Sequence, residues 1–213
     1  NVLGTLNLLD TMLKFGCKMI IFSSTCAIFG IPEKIPISEH LPKNPISPYG
    51  TTKLAIEHAL DAYHQAYDMD YVALRYFNAA GGSTERGEMH EPETHLIPNV
   101  FKAITSQTPM KIFGNDYPTP DGTCIRDYIH ILDLAQAHML ALEFSGTQVF
   151  NLGSGKGYSN LEVLKTAEKV TGTKIPFDHT EVLNAVGNSA NAAVNFAKLG
   201  LKTALVANVG SDS

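Results

Sequence analysis

Short, uninterrupted apolar runs alternate with segments of helical hydrophobic period along most of this chain. That alternation restricts it to an α/β fold built on a parallel sheet. The run Lys18–Ser23 (KMIIFS) has the continuous apolar character of a parallel strand covered on both faces, and Tyr71–Phe77 (YVALRYF), Met110–Phe113 and Gln148–Leu152 read as further short strands. Between and around them, apolar residues recur at helical spacing over Val2–Phe15, Pro48–Ala66, His95–Thr105, Leu132–Phe144 and Asn160–Thr171. Gly16 is expected to end the first of these helices as its C-cap. Pro32–Pro48 is a proline-rich connection, Asn78–Glu93 a polar, glycine-rich loop, and Gly114–Thr123 a loop leading into Arg126–His130. A further strand is expected at Lys174–Phe177, and no internal repeat or low-complexity segment interrupts the pattern.

Composition narrows the function classes. A net charge of −5 without a basic cluster argues against a nucleic-acid or polyanion surface. No apolar run approaches the ~20 residues of a membrane span, so no membrane partner is expected. The three cysteines, Cys17, Cys26 and Cys124, are odd in number and unclustered. They form neither a disulfide framework nor a metal-binding pair, which points to a reducing, cytoplasmic setting, and no metal site is expected.

The chemistry concentrates where the second helix begins. Tyr49 and Lys53 form a Tyr-x-x-x-Lys pair whose i, i+4 spacing stacks both side chains on one helix face. A free phenol titrates near pH 10, too high for a base at neutral pH, and an ammonium one turn away lowers that value by stabilising the phenolate. The same pair also suits a solvated helix face. Ser23, Ser24 and Thr25 stand at the carboxyl end of the first strand, the edge of an open parallel sheet where ligands bind. A hydroxyl there suits a substrate oxygen, and it equally suits the start of a turn. Phe113 and Tyr128 fit ordinary core aromatics, and Arg126 beside Asp127 fits a surface pair. His130 and His138 flank a helix and read as structural histidines, since a metal would need further ligands.

Six runs carry a resemblance to a known family: FSSTCAIFG (Phe22–Gly30), SPYGTTKLAIE (Ser47–Glu57), LRYFNAAG (Leu74–Gly81), HLIPNV (His95–Val100), IFGNDYPTPDGTCIRDYIHILDLA (Ile112–Ala135) and FNLGSGKGYSNLEV (Phe150–Val163). Over Asn1 to about Phe177 the chain resembles the UDP-glucose 4-epimerase family of the extended short-chain dehydrogenase/reductase superfamily. The Tyr-x-x-x-Lys element is shared by the whole superfamily, whereas the FGNDYPTPDGTCIRDYIH block is specific to the epimerases. The resemblance implies NAD as cofactor and interconversion of UDP-glucose and UDP-galactose through a 4-keto sugar. Another nucleotide-sugar epimerase or dehydratase is the neighbouring reading. A dehydratase should carry an acidic pair after the hydroxyl position, where Cys26 and Ala27 stand here. A non-catalytic fragment that at best binds a nucleotide sugar is the reading from another class.

The resemblance also implies roles for individual residues. Tyr49 matches the general base, Lys53 the residue that lowers its pKa and binds the nicotinamide ribose, and Thr25 the hydroxyl partner. Asn1 and Phe77 match cofactor contacts, and Asn78 a contact to the substrate diphosphate. His95 and Leu96 match a substrate-contacting pair, with His95 at a position where Asn is common. Lys111, Ile112 and Phe113 match the segment lining the uracil pocket. Arg126 matches a diphosphate clamp, a role that suits a planar, bidentate guanidinium, and Tyr128 is its neighbour in the same block.

The expected fold is therefore α/β, a partial Rossmann-type parallel sheet with a smaller α/β substrate domain and an unrelated-looking C-terminal tail. Residues 1–80 are expected to supply the second half of the NAD-binding domain. Residues 81–177 are expected to form the UDP-sugar domain, with elements returning to the first. The chain opens at Asn1 inside a helical pattern and reads as a fragment, with the glycine-fingerprint βαβαβ half expected ahead of it. The family also suggests a homodimer. From Asp178 the texture changes to Ala, Asn, Val and Gly. Gly187–Asp212 resembles the N-terminal part of ribokinase-like carbohydrate kinases, with a helix expected at Ser189–Leu199 and a strand at Lys202–Val209.

Overall fold

Three parallel strands, β1 (Met19–Thr25), β2 (Asp70–Tyr76) and β6 (Gln148–Leu152), form a sheet in the order β1-β2-β6. The computed structural model describes residues 1–180 of the chain. These divide into two units: Asn1–Phe77 with Asp133–Leu152, and Asn78–Leu132 with the chain from Gly153 onward.

In the first unit the strand period of two sorts β2 between two layers. Tyr71 and Ala73 point to one face and pack with Leu9 of helix α1 (Val2–Lys14) and Ile56 and Leu60 of helix α2 (Pro48–Tyr67). Val72 and Leu74 point to the other face, against Ala141 of helix α4 (Ile131–Ala141). Both faces are covered, which is why β2 reads as a continuous apolar run rather than an alternating one. Helix α2 starts where its sequence says it should. Ser47 caps it by accepting from the Gly50 N–H at 3.1 Å, and Pro48 occupies the first turn, where a missing N–H costs nothing. At its end, Asp68 takes the left-handed conformation.

The second unit holds two smaller sheets. Strand β5 (Ile125–His130) pairs in parallel with β3 (Asn78–Ala80) and antiparallel with β7 (Gly157–Ser159). Strand β4 (Met110–Phe113) pairs in parallel with β8 (Phe177–Thr180). Their core joins Val100 and Ala103 of helix α3 (Leu96–Ser106), Met110 and Ile112 of β4, Leu164 of helix α5 (Asn160–Thr171) and Ile175. Helix α5 opens on a full capping box between Ser159 and Glu162.

Several elements differ from expectation. Asn78–Ala80, read as loop, is strand β3, and Gly157–Ser159 is strand β7. Each is three residues long and takes its pairing from β5. Neither has a periodicity of its own. Thr25 is followed by a 3-10 helix over Cys26–Phe29. Phe15 rather than Gly16 caps α1, with Gly16 just beyond in the left-handed region. The strand expected at Lys174–Phe177 lies at Phe177–Thr180 instead. Ile175 is buried in the core, its N–H is held by the Glu168 carboxylate at 3.0 Å, and Pro176 has no N–H to give a ladder. Strand β8 thus carries the order three residues past Phe177, into the stretch where the texture changes. The kinase-like helix and strand expected further on lie outside the described residues. Among the described residues, no helix is long and apolar enough to cross a membrane.

Candidate active site

The first unit brings Thr25, Tyr49, Lys53 and Phe77 to the carboxyl ends of β1 and β2. Helix α2 approaches the turn after β1 closely at Gly50. A Cβ there would stand 2.7 Å from the Ala27 carbonyl oxygen, so only glycine lets the first turn of α2 lie this near. The approach carries Tyr49 and Lys53 to the edge of the sheet. Lys53 Nζ donates to the Ser23 carbonyl at 2.9 Å and stands 5.0 Å from the Phe22 ring centre and 5.8 Å from that of Tyr49. Burial pushes the Lys53 ammonium below the ordinary lysine value.

The hydroxyl row Ser23–Thr25 is divided by the pleat. Ser24 faces α2 and donates to Glu57 Oε1 at 2.6 Å. Ser23 faces α4, where its Oγ lies 3.3 Å from His138 Nε2. Thr25 Oγ1 accepts from the Ala27 N–H at 3.1 Å and so caps the 3-10 helix, the turn-starting role. Phe77 packs against Cys26, Ile28 and Phe29. Asn1 is the N-cap of α1, without a side-chain cap bond.

Beneath this edge lies a network that sequence reasoning missed. Arg75 Nε and Nη2 donate to the two Glu57 oxygens at 2.9 and 2.7 Å, while Nη1 donates to the Glu39 carbonyl at 3.2 Å. The Arg75 and Glu57 side chains are only 1% and 4% exposed. The sequence holds one signal for it. Glu57 falls one turn after Lys53 on α2, a charge among apolar positions. Burial raises the phenol of Tyr76, next along β2, and the Ser23 hydroxyl only partly offsets that.

The second unit holds the remaining predicted site residues. Asn78 lies opposite Tyr128 in the β3–β5 ladder, and its Nδ2 donates to the Asp127 carbonyl at 2.8 Å. Arg126 is exposed on β5, and its Nη1 donates to the Ile125 carbonyl at 3.3 Å. It does not pair with Asp127. Adjacent strand residues face opposite ways, and the Asp127 carboxylate accepts from the N–H groups of Ser154 and Gly155, both at 2.9 Å, and from Ser154 Oγ. Tyr128 is half-buried, and burial raises its phenol against the pull of Arg126. On β4, Lys111 and Phe113 are exposed while Ile112 is 1% exposed in the core. Any ligand contact from Ile112 would therefore come from its backbone. His95 caps α3 and is exposed, and Leu96 begins that helix.

His130 and His138 each have a local partner. His130 Nδ1 accepts from the Leu132 N–H at 3.2 Å, and His138 Nδ1 lies 2.8 Å from the Leu134 carbonyl.

The block between β4 and β5 is fixed through Asp121. Its carboxylate accepts from the Ser159 hydroxyl and from the Thr123 N–H and hydroxyl at 2.9 and 2.8 Å. The Ser159 hydrogen bond, with Thr123 after it, holds the Asp121 carboxyl below the ordinary aspartate value. A depressed carboxyl contributes stability above the unfolded value near 3.9, and that contribution is lost as pH falls through the lower folded value. Asp121→Asn is expected to cost about 1–2 kcal/mol at neutral pH. Urea unfolding of both proteins across the acid range should show the gap close on acidification, and an unchanging gap would remove Asp121 from this role.

The model of the NAD dependent epimerase/dehydratase family matches residues 1–153. A UDP-glucose 4-epimerase from Halalkalibacterium halodurans is 51% identical over 185 residues, covering 83% of this chain and 55% of that protein. Among solved structures, UDP-glucose 4-epimerase from Brucella ovis in complex with NAD superposes with a TM-score of 0.81 at 43% identity, covering 95% of this chain and 67% of that one. The enzyme from Bifidobacterium longum in complex with NAD+ and UDP gives 0.80 at 41% identity, covering 84% and 56%. The chain spans about half the length of the curated relatives it matches.

Proposed function

We propose, from the premise that this chain belongs to the NAD dependent epimerase/dehydratase family, that it carries the proton-transfer and nucleotide-sugar-binding part of a UDP-glucose 4-epimerase. The observation that carries the reading is Lys53. Its half-buried ammonium is tied to the Ser23 carbonyl and stands beside the Tyr49 ring at the ligand-binding edge of a parallel sheet.

The donors at that edge fit a nicotinamide ribose. An ammonium has three N–H donors, and the Ser23 carbonyl takes one, so Lys53 retains donors for ribose hydroxyls. NAD, when bound, supplies the acceptor for the hydride from sugar carbon 4 and returns it. The chain's own residues manage the proton and the substrate. Tyr49, as phenolate, takes the proton of the sugar 4-hydroxyl, and the Lys53 charge lowers the cost of that phenolate. Thr25 Oγ1 accepts from Ala27, which fixes the oxygen and leaves the hydroxyl proton to donate to a sugar oxygen. Asn1 and Phe77 are assigned to the cofactor. Asn78, His95, Leu96, Lys111, Ile112, Phe113, Arg126 and Tyr128 are assigned to the UDP-sugar. The cysteine usage points to a cytoplasmic setting, and the family suggests a homodimer.

The test joins this chain to the portion of the fold that the resemblance places ahead of Asn1, supplied from the Halalkalibacterium relative. Conversion of UDP-galactose to UDP-glucose is expected, and a folded, NAD-loaded chimera without it would refute the reading. Within that protein, Arg126→Ala is expected to weaken UDP-sugar binding about 10- to 100-fold, because it removes charge-assisted contacts to a diphosphate. The turnover number should change little. A KM equal to that of the parent would take Arg126 out of the clamp.

A further inference from the structure

We propose that Glu88, His90, Glu93 and His95, on the connection from β3 to α3, bind one divalent transition-metal ion of the zinc class. One donor atom from each of the four lies within 4.8 Å of the others. His90 Nδ1 is 2.7 Å and His95 Nδ1 2.9 Å from the same oxygen, Glu88 Oε1. His95 Nδ1 is also 3.1 Å from Glu93 Oε1. Two imidazoles and two carboxylates thus converge within one short stretch of the second unit.

Zinc bonds of about 2.0–2.2 Å to nitrogen and oxygen set tetrahedral donors roughly 3.3–3.5 Å apart. The shortest separations here would open by roughly 0.4–0.8 Å, and the longest would close by rotation of exposed side chains. His90 and His95 are 51% and 50% exposed, so they have room for that adjustment. Glu93 supplies the fixed point. Its side chain is 8% exposed, and its Oε1 accepts from the N–H groups of Thr94 and His95 at 2.8 and 2.7 Å. A carboxylate has lone pairs for a metal beyond those two bonds.

The donor set selects the metal. Imidazole favours zinc, copper, nickel and iron over magnesium or calcium, and four protein ligands fill a tetrahedral shell. Such a closed site is structural. It would tie the loop after Gly87 to the start of α3, and it shares His95 with the residues assigned above to the UDP-sugar. The other histidines of this unit do not converge in this way. His130 caps the chain at Leu132, and His179 stacks edge-on against Phe177.

The experiment titrates zinc chloride into the full 213-residue chain by calorimetry at about pH 7.5, where free imidazoles are neutral. Circular dichroism confirms that each variant keeps the parent fold. One equivalent is expected to bind with Kd of roughly 10 μM or tighter, and His90→Ala and His95→Ala should each weaken it about tenfold or more. Glu88→Gln should weaken it too, because it removes a charge while keeping the shape. His58→Ala, on an exposed position of α2, is expected to leave binding intact. Cobalt in place of zinc should give visible absorption of tetrahedral intensity that His90→Ala abolishes. Absence of stoichiometric binding, or binding unchanged in both His90→Ala and His95→Ala, would overturn the proposal.

Discussion

In the chimera with the Halalkalibacterium portion, conversion of UDP-galactose to UDP-glucose is expected to slow about 10²–10⁴-fold on Tyr49→Phe, the range that general acid–base catalysis supplies. The substitution removes one oxygen and leaves the ring beside Lys53, so the loss should appear in the turnover number while the KM for UDP-galactose stays near its parent value. The direction follows from the chemistry at the carboxyl edge of β1. A phenol is a usable base at neutral pH only where a nearby charge favours its ionised form, and Lys53 is the cation placed beside it. Steady-state rates of UDP-glucose formation, measured beside the parent chimera, decide the matter. Full turnover without the hydroxyl would reduce Tyr49 and Lys53 to a helix-face pair.

Glu57→Gln is expected to destabilise the chain by about 3–5 kcal/mol, because it leaves the buried Arg75 guanidinium without a counter-charge. Glu57 receives two hydrogen bonds from Arg75 and one from Ser24, so the amide also loses an acceptor that three donors now share. The double variant Glu57→Leu, Arg75→Met should recover much of that loss, since replacing a buried pair with apolar groups of similar size removes the desolvation penalty together with the attraction. Urea midpoints of the parent, single and double variants test this directly. A single variant as stable as the parent would show that the pair contributes nothing. The consequence reaches the candidate site, because this network joins α2 to β1 and β2 beneath Tyr49, Lys53 and Thr25.

The α/β class was legible because both periods were present in the sequence. β2 shows a run covered on two faces, and α2 shows a helical stripe with Ser47 and Pro48 at its start. Strands β3 and β7 were not legible. Three residues carry no period, and each is a strand only because β5 runs beside it. The same holds for the position of β8, which depends on burial of Ile175 and on the missing N–H of Pro176.

At the site, the Tyr-x-x-x-Lys spacing was readable, because i, i+4 on a helix has one geometric meaning. Which hydroxyl of Ser23, Ser24 and Thr25 stands where was not readable. The strand pleat sends Ser24 to Glu57 and Ser23 to His138, and the turn claims Thr25. Ile112 illustrates the same limit, since alternation along β4 places it in the core between two exposed neighbours. Local pattern by itself determined the helices, the long strands and the face shared by Tyr49 and Lys53, because each needs only neighbours within a turn or a pleat. Only the tertiary structure decided the Ser24–Glu57–Arg75 network and the convergence of His90 and His95 on Glu88. Those contacts depend on how distant segments and loops fold back, and no local period records that.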